Sequence, residues 1–395
     1  MERSRYLTLL TLLGMLTALT ALSIDPTLSS MPEVAREFGV ENAIAQLSLV
    51  SFMIGLAAGQ LLVGPLADRF GRRPVILFAI IVYVVAATGG AMAANIQWLV
   101  GFRLIQGLAA CAGQILPRTV IRDKFESIDA AKLLSYVMVI HGIAPIIGPI
   151  LGAHLAVAMS WRAVYWFNVA YGSLVFIFVW TLLAESIPER DLRALSLTRL
   201  VRTYAMVIRN RTFYGHLLCG TGCFAGLFVY LTTSSAVVIG HFGQSGETYG
   251  YLFAITMSGW LIGNLISARL VVRIGIDRMI RFGSFGFAAS SVTILALPWF
   301  GVDELWTIVA PMFVYMAMFS FVVPPAQAAA LVPFPANAGA ASSLMGFVQL
   351  CVAAAIGVLV GQFDDGTQIP MITVIGITGF GPIAAYWLLV RRIDP

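Results

Sequence analysis

Apolar runs of roughly 18 to 25 residues recur from one end of the chain to the other, and short polar or glycine-bearing connections separate them. At about 1.5 Å of rise per residue, each run is long enough, as a helix, to cross a hydrocarbon core about 30 Å thick. The pattern predicts twelve spanning helices, over 6–30, 44–64, 75–94, 97–119, 133–156, 163–184, 213–239, 248–270, 280–300, 305–327, 340–361 and 369–390. Little chain remains for an aqueous domain. The fold class expected is therefore an all-α membrane protein.

Composition agrees. Of the 395 residues, 59% are hydrophobic and 11% charged, and the mean hydropathy is +0.90, whereas soluble domains carry about 25% charged residues. The first run follows Arg3 and Arg5 in the manner of a signal peptide. It lacks a small-residue cleavage site and leads straight into further spans, so it is expected to be a retained first helix. Cys111, Cys219, Cys223 and Cys351 all fall inside apolar runs, and only Cys219 and Cys223 lie one turn apart with no His or carboxylate beside them. That is poor metal chemistry and reads as packing; no cofactor or metal is expected.

The net charge of +5 and pI near 9.1 do not indicate a nucleic-acid partner, because the basic residues are placed by topology. With the N-terminus in the cytoplasm, basic clusters at Arg3/Arg5, Arg69/Arg72/Arg73, Arg118 to Lys132, Arg190 to Arg211, Arg269 to Arg281 and Arg391/Arg392 all fall inside. Of 24 Lys and Arg residues only Arg36 and Arg162 fall outside, and Arg103 lies within a span. Both termini are expected in the cytoplasm of a bacterial inner-membrane protein. The longest polar connection, Glu185 to Arg211, carries Pro188 and six arginines and divides the spans six and six. The expected organisation is an N-terminal half over 1–184, a cytoplasmic linker over 185–212 and a C-terminal half over 213–395. An internal echo supports it: Gly64-Pro-Leu-Ala-Asp68-Arg69-Phe-Gly71-Arg72-Arg73 follows span 2, and Gly263, Arg269, Arg273, Gly275 and Arg278 accompany span 8 without the aspartate.

The stretch from Gly64 to Arg73 resembles the inner-loop motif of the major facilitator superfamily. Leu99 to Ala110, with Arg103, Gln106 and Gly107, is similar to its fourth-helix motif, and Gly142 to Gly152, with Pro145, Gly148 and Pro149, to its antiporter motif. Ile24 to Glu33 and Ala330 to Gln349, with its Pro-Phe-Pro signature, resemble the Bcr/CflA drug-resistance branch. The resemblance runs the length of the chain. It implies a major facilitator fold of two six-helix halves with a substrate site between them, and a proton-coupled antiporter that exports lipophilic drugs by alternating access. The other reading of the same residues is an exporter of an endogenous metabolite or siderophore. The chain departs from the branch at Thr27, Leu28 and Ser29, at Ser235 in place of a seventh-helix proline, and at Thr17 in place of a second carboxylate; these bear on substrate range. A membrane-embedded enzyme is disfavoured, since no Walker loop, metal cluster or Ser-His-Asp spacing is visible.

Asp25 is the one carboxylate that falls within a predicted span, where an ionisable side chain costs a few kcal/mol unless paired or hydrated. It is the expected proton carrier, the alternative being a group that caps the watery end of its helix. Arg103, at matching depth on a helix that the resemblance places beside the first, is expected to pair with it. His141 shares a helical stripe with Pro145, Gly148 and Gly152; it reads equally as a titrating group or as a hydrogen-bonded wall. That stripe is expected to face inward, at a sliding surface between the halves. In the inner turn, Gly64, Asp68, Arg69, Gly71, Arg72 and Arg73 allow a tight reversal and an ion pair or helix cap; the resemblance implies that they lock the cytoplasmic side, the alternative being a topology signal alone. The resemblance implies that Leu227, Phe228 and Leu231 give an apolar wall to the substrate site, which Ile24 and Gln349, with Tyr230 and Gln327 as weaker candidates, are also expected to line. The partners expected are a small lipophilic substrate, protons and membrane lipids, with the protein a monomer.

Single cysteines introduced near Ser196 and near Gly243 are expected to react with an impermeant thiol reagent from opposite sides of the membrane. Labelling of both from outside would overturn the topology.

Overall fold

The computed structural model describes residues 3–125, 127–187, 189–363 and 365–391; Pro188, Arg392 and the side chains of Arg3 and Arg5 lie outside them. Among the described residues, twelve helices are long and apolar enough to cross a membrane. The protein is a multi-pass membrane protein built entirely of helices over those residues.

Residues 1–200 and 201–395 form two compact units. The first holds α1 (Arg3–Leu28), the short α2 (Met31–Phe38), α3 (Asn42–Phe70), α4 (Arg72–Ala91), α5 (Ile96–Lys124), α6 (Ser127–Ala158) and α7 (Trp161–Leu182). A further short helix, α8 (Leu197–Ile208), crosses into the second unit, which continues with α9 (Arg211–Ser235), α10 (Gly246–Ile274), α11 (Ile276–Trp299) and α12 (Trp306–Leu331). It ends with α13 (Ala338–Gln362), α14 (Ile369–Thr378) and α15 (Gly381–Ala385); wide π turns follow α9 and α15.

The two units repeat one packing plan. In the first, α1 lies on α6, α3 on α5, and α4 on α5 and α7; in the second, α9 lies on α13, α10 on α12, and α11 on α12 and α14. The α3/α5 and α10/α12 contacts are both made by glycines. A Cβ at Gly55 or Gly107 would run into the backbone of the facing helix at Leu104 or Phe52, and one at Gly259 or Gly263 into that at Phe313 or Ala317. Small residues let helix backbones touch where lipid supplies no hydrophobic drive between helices.

The inner turn is shorter than its motif. The helix continues through Gly64 and Pro65 to Phe70, so the chain reverses at Gly71 alone, at φ +104° and ψ 153°, a conformation closed to other residues. Gly275 repeats it at φ +81° between α10 and α11.

The short helix α2, which falls in the connection after the first predicted span, buries Met31 and packs Val34 and Ala35 against Ala45, Ile96, Leu99, Trp161 and Tyr165. Its last turn carries Glu37, which accepts a 2.6 Å hydrogen bond from Trp161 Nε1 and pairs with Arg162, itself also bonded to the Ala93 carbonyl. One of the two arginines that the charge pattern leaves on the far side is thereby engaged. Burial alone would raise the Glu37 pKa, but the hydrogen bonds from Arg162 and Trp161, with the Arg162 charge, outweigh it and hold the carboxyl below its ordinary value. The folded-state pKa being the lower one, the stabilisation is complete above the unfolded value of about 4.3 and is lost as pH falls through the folded value. Wild-type protein is therefore expected to lose thermal stability between about pH 5 and about pH 3 more steeply than Glu37→Gln. Parallel melting curves across that range would contradict the contribution.

Candidate functional site

Asp25 lies in α1 directly before Pro26, which has no N–H to donate and so leaves the Leu22 carbonyl without its helical partner. The aspartate is 5% exposed, and among the described residues it is the only acidic side chain in the buried core. Its Oδ2 has no hydrogen-bond partner. Beyond Pro26 the helix satisfies its own last carbonyls with hydroxyls: Thr27 donates to Ile24 at 2.6 Å and Ser30 to Thr27 at 3.0 Å.

The wall facing Asp25 is α6. A Cβ on Gly148 would stand 2.8 Å from the Asp25 Cβ, and one on Gly152 would enter the Pro26 backbone. One turn earlier Ala144 packs with Ala18 and Ala21, and His141 donates from Nδ1 to the Thr17 carbonyl at 3.2 Å. The stripe of His141, Ala144, Gly148 and Gly152 is thus the seam between α6 and α1 inside the first unit. The small residues that permit close approach are filled by α1. Gly142 and Pro149 are buried and Pro145 is half-buried on the same helix.

Arg103 is fully buried but does not pair with Asp25. Its Nη1 donates to the Ser23 carbonyl at 3.0 Å and to Gln106 Oε1 at 2.9 Å, and the guanidinium lies 4.3 Å from the Phe52 ring centroid and 5.8 Å from that of Tyr165. The Ser23 hydroxyl in turn meets the Tyr83 hydroxyl at 2.6 Å. The reason is angular: residues two apart on a helix point about 200° from each other, so Ser23 faces α4 and α5 while Asp25 faces α6. The depths match as expected, yet Arg103 grips the α1 backbone rather than the carboxylate, leaving Nε and Nη2 without hydrogen-bond partners.

At the end of the unit holding Gly71, Arg72 is buried between two carboxylates, paired with Asp68 and donating from Nε to Asp123 Oδ2 at 3.1 Å. Glu185, just beyond α7, accepts the backbone N–H groups of Arg72 at 3.0 Å and Arg73 at 3.2 Å, the free donors that begin α4. A Cβ on Gly71 would stand 2.5 Å from Glu185 Oε2, which gives that glycine a second reason. Burial works against the Glu185 charge, but four backbone hydrogen bonds, from Ser186, Ile187, Arg72 and Arg73, hold its carboxyl below the ordinary range. Arg73 donates to the Trp180 carbonyl at 2.7 Å, and Asp191 N–H to the Asp68 carbonyl at 3.1 Å. Of the motif, Asp68, Gly71, Arg72 and Arg73 meet in this network; Arg69 lies over Phe70, and Gly64 stands in open space. Glu185 and Asp123 went unread in the sequence, where their one signal is a carboxylate just past the end of an apolar run.

In the second unit Phe228, Leu231 and Gln349 are buried, as Ile24 is in the first, and Leu227 is half-buried. Gln349 lies over Gly220 with its Nε2 unpartnered. Tyr230 is occupied, hydrogen-bonded to Thr256 at 3.1 Å and stacked on Phe253. Gln327 is half-buried. The cysteines are free thiols, and no cluster able to hold a metal ion exists among the described residues.

The sequence pattern of the Major Facilitator Superfamily matches residues 11–358. The chain belongs to this superfamily. It is 28% identical to the bicyclomycin resistance protein homolog of Haemophilus influenzae, over 99% of this chain and 98% of that one. It is 25% identical to multidrug resistance protein D of Escherichia coli, over 95% of each. The fold is similar to that of the Escherichia coli xylose transporter XylE in a partially occluded inward open conformation, with a TM-score of 0.79 at 15% identity over 99% of this chain and 98% of that one. As a superfamily member the protein is a transporter of small molecules.

The α1/α6 seam makes a direct prediction. Gly152→Val is expected to cost about 1–3 kcal/mol of stability by overpacking against Pro26, whereas Gly64→Ala, with open space around it, should melt as wild type does. Equal melting of the two variants would contradict the seam.

Proposed function

We propose that the protein is a proton-coupled antiporter of the bacterial inner membrane, exporting small lipophilic compounds as a monomer with both termini cytoplasmic. The observation that carries this reading is Asp25: a lone buried carboxyl group, beside a proline break, with one oxygen unpartnered and no counter-charge paired to it. Such a group changes protonation state without first breaking an ion pair, which suits a carrier that must load on one side of a membrane and unload on the other. The names of the relatives, for bicyclomycin and multidrug resistance, support the substrate class.

In this mechanism a proton reaches Asp25 from outside, and its release inside is exchanged for an outgoing molecule. Arg103 acts on Asp25 through the backbone, by holding the Ser23 carbonyl, and supplies a positive field two residues away. His141, bonded to the Thr17 carbonyl one helical face along, is the reserve titrating group. The network of Asp68, Arg72, Asp123 and Glu185 works as the inner gate, because separating α3, α4, α5 and the end of α7 exposes a buried arginine. Ile24, Leu227, Phe228 and Leu231 give an apolar wall and Gln349 a polar contact for the substrate.

Asp25→Asn keeps the shape of the protonated acid and removes the titration. Reconstituted in vesicles with an imposed pH gradient, this variant is expected to lose uphill accumulation of fluorescent lipophilic dyes while retaining downhill movement. Accumulation at the wild-type level would sink the proposal.

A further inference from the structure

Among the described residues two α-helices lie outside the twelve spans, α2 and α8, and both are amphipathic. Their apolar faces have different fates. That of α2 is covered by the first unit. That of α8 is broad enough to have two sectors: Val207 and Tyr204 pack on Phe213, Phe334, Leu344 and Met345, whereas Leu197, Val201 and Ile208 remain 74%, 57% and 37% exposed. Spaced at i, i+4 and i+11, these three form a strip along one side of the helix. Arg199 and Arg202 project from the other side, with Arg209 just beyond the last turn; all three are exposed.

We propose that this strip of α8 lies in the acyl-headgroup boundary of the membrane, with Arg202 and Arg209 holding anionic phospholipid headgroups. The position of the helix selects that occupant. Only Arg209 and Asn210 separate α8 from α9, and Asn210 fixes the corner by accepting the Phe213 N–H at 3.0 Å. Since α9 opens a membrane span at Arg211, α8 is tethered at the surface of the bilayer. Tyr214, 43% exposed on the first turn of that span, marks the same level, where aromatic side chains concentrate. An apolar strip dipping toward the acyl chains, with guanidinium groups at headgroup height, is the arrangement that binds an interfacial helix to an anionic leaflet. The inference goes beyond the transport reading and does not depend on it.

The test uses the full-length protein in lipid discs, with Cys351, the one native cysteine that is not fully buried, replaced. Nitroxide labels on Val201→Cys and Ile208→Cys are expected to collide several-fold more with oxygen than with a water-soluble nickel chelate, and a label on Met206→Cys, on the opposite side, to do the reverse. Adding phosphatidylglycerol to phosphatidylcholine discs should draw the 201 and 208 labels deeper in the parent protein and leave them unmoved when Arg202→Gln and Arg209→Gln are combined. Nickel access at 201 and 208 would overturn the proposal in favour of a solvated helix. Shielding from both reagents would overturn it in favour of a covering protein, and an equal response to phosphatidylglycerol in the double variant would remove the anionic headgroup from it.

Discussion

The contact between α1 at Asp25–Pro26 and the glycine face of α6 at Gly148–Gly152 sets the terms for the rest of the first unit. A carboxyl group within a span needs either a partner or a defined route to water, and a proline beside it removes one backbone hydrogen bond that lipid cannot replace. Close packing of α6 shields the break, and it does so only because no Cβ stands at two positions one turn apart. Arg103 completes the arrangement from the other side by binding the Ser23 carbonyl, so α1 is gripped on both faces around its acidic residue.

The same logic governs the network at Gly71. The reversal from α3 to α4 occupies a single residue, which leaves the first N–H groups of α4 facing the end of α7, and Glu185 satisfies two of them. Arg72 of α4 is then enclosed by Asp68 of α3 and Asp123 of α5, so three helices meet at one buried guanidinium. A buried pair is costly to break by halves. A conformational change at this end must separate the groups together or keep them together, which is the behaviour wanted of a gate.

The twelve spans were legible because hydrophobic length is a constraint of the bilayer itself, and it acts residue by residue along the chain. The halves were legible through the repeated glycine turns, Gly71 and Gly275, whose positive φ is a local requirement. What depends on rotation about a helix axis was not. Asp25 and Arg103 share a depth, but the 200° between Ser23 and Asp25 decides which of them the arginine meets. The face of α6 was recognised as a close-packing surface, and its partner, α1, was not. Helices α2 and α8 fall below the length that a membrane imposes, and Glu185 acts on backbone groups, which leave no mark in a sequence.

The central claim is that Asp25 itself changes protonation state within the membrane. Infrared difference spectroscopy during a pH titration of the purified protein in lipid measures this directly, since a protonated carboxyl group has its own carbonyl stretch. The account predicts a band that appears and disappears with pH in wild-type protein and in Asp68→Asn but is missing from Asp25→Asn. A titrating band that survives in Asp25→Asn unchanged would contradict it.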